Sequence, residues 1–203
     1  MPRFSPLLAF LILVGLIALL SLFGPREASL GASVRLVYLH GAWVWTALVG
    51  FGAAALAGLV GLLFRRPRLQ AWSVALGQAG TFFWVTYLPL SLWTMQATWN
   101  GLFLDEPRWR IGLNLAVVAV LLQMAILALG RPSWGSVVNA LFAAVVFWSV
   151  GTAEQVMHPP SPIASSGSLA IRGFFLALLA VSLLACWLLA RWMLDRWLRR
   201  GRA

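Results

Sequence analysis

The chain has 203 residues, of which 62% are hydrophobic and only 10% charged, with a mean hydropathy of +0.89. A soluble domain carries about a quarter charged residues, so a soluble globular fold is excluded and an all-α integral membrane protein is expected. The formal charge of +10 comes from 15 basic residues, every one an arginine. Most of them flank apolar runs instead of lining one polar face, which argues against nucleic-acid binding and fits charges that set membrane orientation.

Met1-Pro2-Arg3 leads into an apolar run that predicts a first helix over about residues 7–23. The run exceeds the roughly 7–15-residue core of a signal peptide, and no small-x-small cleavage site follows it directly. Gly24-Pro25 ends it. A second helix is predicted over about 35–64, with Gly50, Ala54 and Gly58 recurring every fourth residue. That small face lets a neighbouring helix come close. After Arg65-Arg66-Pro67-Arg68, a third helix is predicted over about 71–95, with a bend at Pro89.

The segment from Gln96 to Arg110 mixes aromatic, acidic and basic side chains more than any other. A fourth helix is predicted over about 111–129, ended by Gly130-Arg131-Pro132, and a fifth over about 134–153. A Pro- and Ser-rich loop carrying His158 precedes a sixth helix over about 171–194. The expectation is one six-helix transmembrane domain covering residues 1–203.

Six spans put both termini on one side of the membrane. Ten arginines fall on that side (Arg3, Arg65, Arg66, Arg68, Arg131, Arg191, Arg196, Arg199, Arg200, Arg202) and five on the other (Arg26, Arg35, Arg108, Arg110, Arg172). The positive-inside rule makes the termini cytoplasmic, in the cytoplasmic (inner) membrane. No G-x-x-x-x-G-K-[ST] loop is present, so any ATP is handled by another chain. The lone Cys186 makes no intramolecular disulfide and reads as a small buried apolar residue, and no C-x-x-C-H attaches haem covalently.

This topology gathers the chemistry on the extracytoplasmic face. Both histidines, His40 and His158, fall there, with Glu27, Asp105, Glu106 and Glu154, four of the five acidic residues. Singly, each histidine reads as a partly hydrated interfacial side chain. As a pair, neutral imidazoles suit iron, zinc or copper. Two ligands make a poor closed zinc site, whereas a six-coordinate haem needs two axial ligands from the protein.

Trp43, Trp45, Trp93, Trp99, Phe103 and Trp109 are candidate flat apolar walls; the competing reading is an interfacial aromatic belt. Arg35, Arg108, Arg110 and Arg172 are candidate propionate partners, or plain membrane-edge anchors. Glu154, four residues before His158, either orients that imidazole or simply caps the outer end of the loop. Ser161, Ser165, Ser166 and Ser168 show no base–orienter arrangement and read as loop, so no enzyme signature is present.

Tyr38-Leu39-His40 with Trp43, the segment Trp99–Arg108 and Met157-His158-Pro159 together give the chain a family likeness. It resembles the haem-handling proteins of cytochrome c maturation, the CcmC-like family, over nearly its whole length. In that family an early Tyr-x-His, a Trp-rich (W-W-D) loop between helices 3 and 4 and a late histidine stand in this order. Two departures are visible: Gly41 follows His40 directly, where the family has a Pro nearby, and the Trp-rich loop is degenerate. Trp99 and Arg108 keep their places, Phe103 keeps one aromatic and Glu106 stands for the Asp.

The resemblance implies a protein without bond chemistry of its own that takes up haem b transiently through His40 and His158 as axial ligands. Trp99, Phe103, Glu106 and Arg108 are carried over as haem-platform residues. It also implies hand-over of haem to a haem chaperone, beside ATP-binding-cassette exporter subunits and a small one-helix subunit. Two other readings stay open on the residues alone. One is a b-type cytochrome subunit exchanging electrons with quinone; the other is a haem-free structural or permease subunit of a transporter.

Overall fold

The computed structural model describes residues 5–154, 157, 163 and 166–200. They form six α-helices: α1 Pro6–Ser21, α2 Val34–Leu63, α3 Pro67–Trp99, α4 Pro107–Leu129, α5 Pro132–Gly151 and α6 Leu169–Arg200. Four of these, α2, α4, α5 and α6, are long and apolar enough to cross a membrane. With 16 residues, α1 reaches about 24 Å at 1.5 Å per residue. Although α3 has 33 residues, Ser, Thr and Gln interrupt its apolar pattern.

Proline sets several starts. Pro6, Pro67, Pro107 and Pro132 each open a helix, where the missing N–H has no intrahelical acceptor anyway and the fixed φ suits the first turn. Thus α3 and α4 each begin four residues before the expected starts at 71 and 111, and α5 two before 134. At its other end α3 continues through Pro89 to Trp99, stopped by Asn100 in the left-handed region (φ 56°). Pro89 removes one ladder bond, that to Val85, without ending the helix. In the same way α6 runs on through the arginine-rich tail to Arg200.

The central pair is α2 and α3, which pack along each other; α5 and α6 also lie against both, α4 flanks α3 and α5, and α1 rests mainly on α6. The small face of α2 lies inside this packing, with Gly50, Ala54 and Gly58 all buried. A Cβ on Gly50 would stand 3.1 Å from the Cα of Gly80, so here the two backbones touch and larger side chains would hold them apart.

The reversal between α2 and α3 is short. Arg65 adopts φ 49°, Arg66 N donates to Gly61 O at 2.8 Å, and the Gln70 side chain donates to the same carbonyl at 3.0 Å.

Aromatic side chains fill the core. Phe51 meets Phe142 edge-on at 5.1 Å and Trp84 at 5.9 Å, and Trp43 packs on Phe83 at 4.7 Å. One buried polar group ties three helices together near the ends at which α3 and α5 begin. Asn139 Nδ2 donates to Ser73 O at 2.9 Å and lies 3.3 Å from Ser73 Oγ, while Gln123 Nε2 donates to Asn139 Oδ1 at 2.9 Å.

Candidate functional site

At the opposite end of the bundle, where α2 and α4 begin and α3 ends, the sequence-predicted residues come into view. The turn before α2 is fixed by Glu27, whose carboxylate accepts from Ser29 N at 2.8 Å, Ser29 Oγ and Leu30 N at 2.9 Å. These bonds, the Ser29 hydroxyl foremost, hold its pKa below the ordinary carboxylate value. Arg35 Nε donates to Gly24 O at 3.0 Å and Tyr38 OH to Pro25 O at 3.2 Å. Tyr38 is fully buried against Phe174, their ring centroids 5.4 Å apart. Tyr38 and Arg35 therefore secure the entry to α2.

Two residues on, His40 is partly buried, its ring 5.8 Å from that of Tyr87 on α3, at a 58° tilt. Tyr87 is 5% exposed and meets Trp84 edge-on at 4.9 Å. Its hydroxyl lies where a side chain on Gly112 would have to stand, and Trp84 Nε1 donates to Gly112 O at 3.0 Å. Residue 112 of α4 thus has room only for glycine.

Glu106 caps α4 and is itself only 3% exposed. Its Oε2 accepts from Trp109 N at 2.6 Å, as an N-cap carboxylate does at the positive end of a helix. Its Oε1 is buried without a hydrogen-bond partner among the described residues, and the same holds for Arg108 Nε and Trp109 Nε1. Three polar atoms at one helix start thus have unmet hydrogen-bonding capacity, which normally attracts a ligand or water. Trp99 and Phe103 meet each other edge-on at 5.7 Å, and Phe103 is largely exposed. Asp105 and Arg110 form an exposed pair at 3.5 Å, which contributes little to stability.

The structure sorts the other aromatic candidates by role. Trp43 belongs to the core, its Nε1 donating to Thr86 Oγ1 at 2.8 Å, whereas Trp45 and Trp93 are exposed on helix surfaces. His158 lies outside the described residues. Ile163 touches α2 beside His40, its Cδ1 3.9 Å from where a Cβ on Gly41 would stand. Among the described residues no three His, Cys, Asp or Glu side chains converge as a metal cage.

Sequence reasoning missed Tyr87 and Gly112. The chain has only two tyrosines, and a tyrosine deep in an apolar helix was the one available signal. Nothing in the local sequence marks Gly112, because its role is to face Tyr87 across two helices.

Compared with known proteins, the chain is similar to the heme exporter protein C of Bradyrhizobium diazoefficiens. The two are 24% identical over 176 residues, which is 80% of this chain and 64% of that protein, so the chain spans just under two thirds of its relative's length. No family model matches the chain. No solved structure matches it.

Proposed function

We propose that the chain handles haem during cytochrome c biogenesis, as a six-span protein of the cytoplasmic membrane with both termini cytoplasmic. In this reading haem b is cargo, received at the extracytoplasmic face between His40 and His158 as axial ligands and passed to a haem chaperone. ATP-binding-cassette subunits and a small one-helix subunit work beside it. The observation that carries the reading is the similarity to a protein named heme exporter protein C over 80% of the chain. The geometry around His40 supports it.

The residues present fit such a cargo. A neutral imidazole is a good axial ligand for haem iron. Arg108 Nε and Trp109 Nε1 are buried donors with unmet capacity, which suits propionate oxygens. Trp99 and the exposed Phe103 offer apolar contact for a flat macrocycle. Glu106 acts by holding the start of α4, and with it Arg108 and Trp109, in place.

The test is an optical spectrum of the purified chain in detergent, with and without added haem. The expected result is a Soret band that is lost or shifted in both His40→Ala and His158→Ala. A preparation that contains no haem and ignores added haem overturns the proposal. Rapid reversible reduction by a quinol would instead favour a b-type cytochrome.

A further inference from the structure

Resting on the haem-ligand reading of His40, we infer that Tyr87 is a positioning residue for that imidazole, and that Trp84 and Gly112 hold Tyr87 in place. The ring of Tyr87 is the aromatic surface against which His40 rests, at 5.8 Å and 58°. An imidazole on a helix can still turn about χ2, where the preference is broad. A bulky neighbour on the next helix narrows that freedom only if the neighbour itself cannot move.

Tyr87 meets this condition on two sides. Trp84, one turn earlier on α3, packs edge-on at 4.9 Å and is itself anchored by its Nε1 bond to Gly112 O. The phenol end projects over the bare Cα of Gly112. The start of α4 is thereby linked through Tyr87 to His40 on α2. The partners of a metal ligand fix its orientation, and their loss typically lowers metal affinity about 10- to 100-fold. Tyr87 is assigned this role through ring packing.

Two readouts test the assignment, and the first needs no haem. The chain has two histidines, so 15N-histidine labelling in a His158→Ala background leaves the imidazole of His40 as the one signal. Tyr87→Phe, which keeps the ring and removes the hydroxyl, is expected to displace both imidazole nitrogen resonances. Tyr87→Leu is expected to displace them further and broaden them. The conservative Val146→Ala, within the core on α5, is the control expected to leave them in place. Far-UV circular dichroism and size exclusion show whether each variant is folded. Superposable His40 spectra in the background and in folded Tyr87→Leu overturn the inference; should Tyr87→Leu not fold, Tyr87→Met, which also removes the ring, decides instead.

The second readout is haem titration of the chain with both histidines present. Tyr87→Leu is expected to weaken binding about ten-fold and to alter the electron paramagnetic resonance g values of the ferric complex. If His40→Ala abolishes binding while folded Tyr87→Leu matches the parent in affinity and g values, the positioning role fails and the haem reading stands. If the parent takes up no haem, the haem reading fails, and the nitrogen resonances alone decide whether Tyr87 orients His40.

Discussion

Near the start of α3, Ser73, Gln123 and Asn139 join three helices through hydrogen bonds between neutral groups, with Gln123 Oε1 the atom of this trio that has no partner among the described residues. Near the start of α2, the ionisable His40 and Tyr87 pack on each other, Tyr87 reaches α4 at Gly112, and at the start of α4 Glu106 Oε1, Arg108 Nε and Trp109 Nε1 have no partner among the described residues. The first region resembles a staple, since a neutral hydrogen-bonded network fixes packing at little electrostatic cost. The second leaves binding capacity open in surroundings where ionisable groups are costly and tend to serve function. The contrast separates a region that sets architecture from one that offers chemistry.

The sharpest way to break the contrast is at Asn139. Asn139→Ala strands the buried Gln123 amide and the Ser73 hydroxyl, and is expected to cost about 3 kcal/mol of stability, since each stranded group costs about 1–3 kcal/mol. It should leave the haem spectrum of the surviving folded protein unchanged. Thermal unfolding followed by circular dichroism measures the first effect and haem titration the second. A changed spectrum would mean that the two ends of the bundle are coupled.

Gly112→Ala comes next. The new methyl group falls on the Tyr87 hydroxyl, and overpacking of this kind costs about 2 kcal/mol. Unlike the Asn139 variant, this one is expected to weaken haem binding in the same titration.

Glu106→Ala removes the cap of α4 and is expected to cost about 1 kcal/mol, with faster amide exchange at Trp109, whose N–H the carboxylate accepts. Glu106→Gln keeps an acceptor oxygen and should retain most of that protection.

At Glu27 the expected effect is local and depends on pH. Its pKa is depressed in the folded chain, so the hold on the turn is complete above the ordinary carboxylate range and is lost as pH falls through the lower, folded value. Amide exchange at Ser29 and Leu30, corrected for the intrinsic pH dependence, should accelerate only there. The smallest effect belongs to Arg110→Ala, which removes an exposed pair and should leave unfolding unchanged.

Much of this plan was legible in the sequence, and the parts that were not share a physical reason. The apolar runs mark α2, α4, α5 and α6 because length and hydropathy are local properties. The expected starts of α3, α4 and α5 lie late because the apolar pattern picks up only after Pro67, Pro107 and Pro132, although proline fits the first helical position. The far end of α3 was placed early because Gln96 and Thr98 break the apolar pattern, yet the helix runs to the left-handed cap at Asn100.

At the site, His40 stands out as one of two histidines. Trp43 looked like a wall for a ligand but serves the core, since its bond to Thr86 crosses to another helix and leaves no local trace. Gly112 and Tyr87 were invisible for the same reason. Their relation exists only once α3 and α4 lie side by side.

The tight reversal from Gly61 to Gln70 has a consequence for the far end of the bundle. From Leu63 back to His40 is about 35 Å of helix at 1.5 Å per residue, and Tyr87 lies a comparable distance along α3. Because the turn admits no slack and Gly50 and Gly80 keep the rods in contact, it works as a gauge that sets imidazole and phenol at one height. A single residue inserted between Phe64 and Pro67 would give this turn slack and release the register between Tyr87 and His40 without altering either helix.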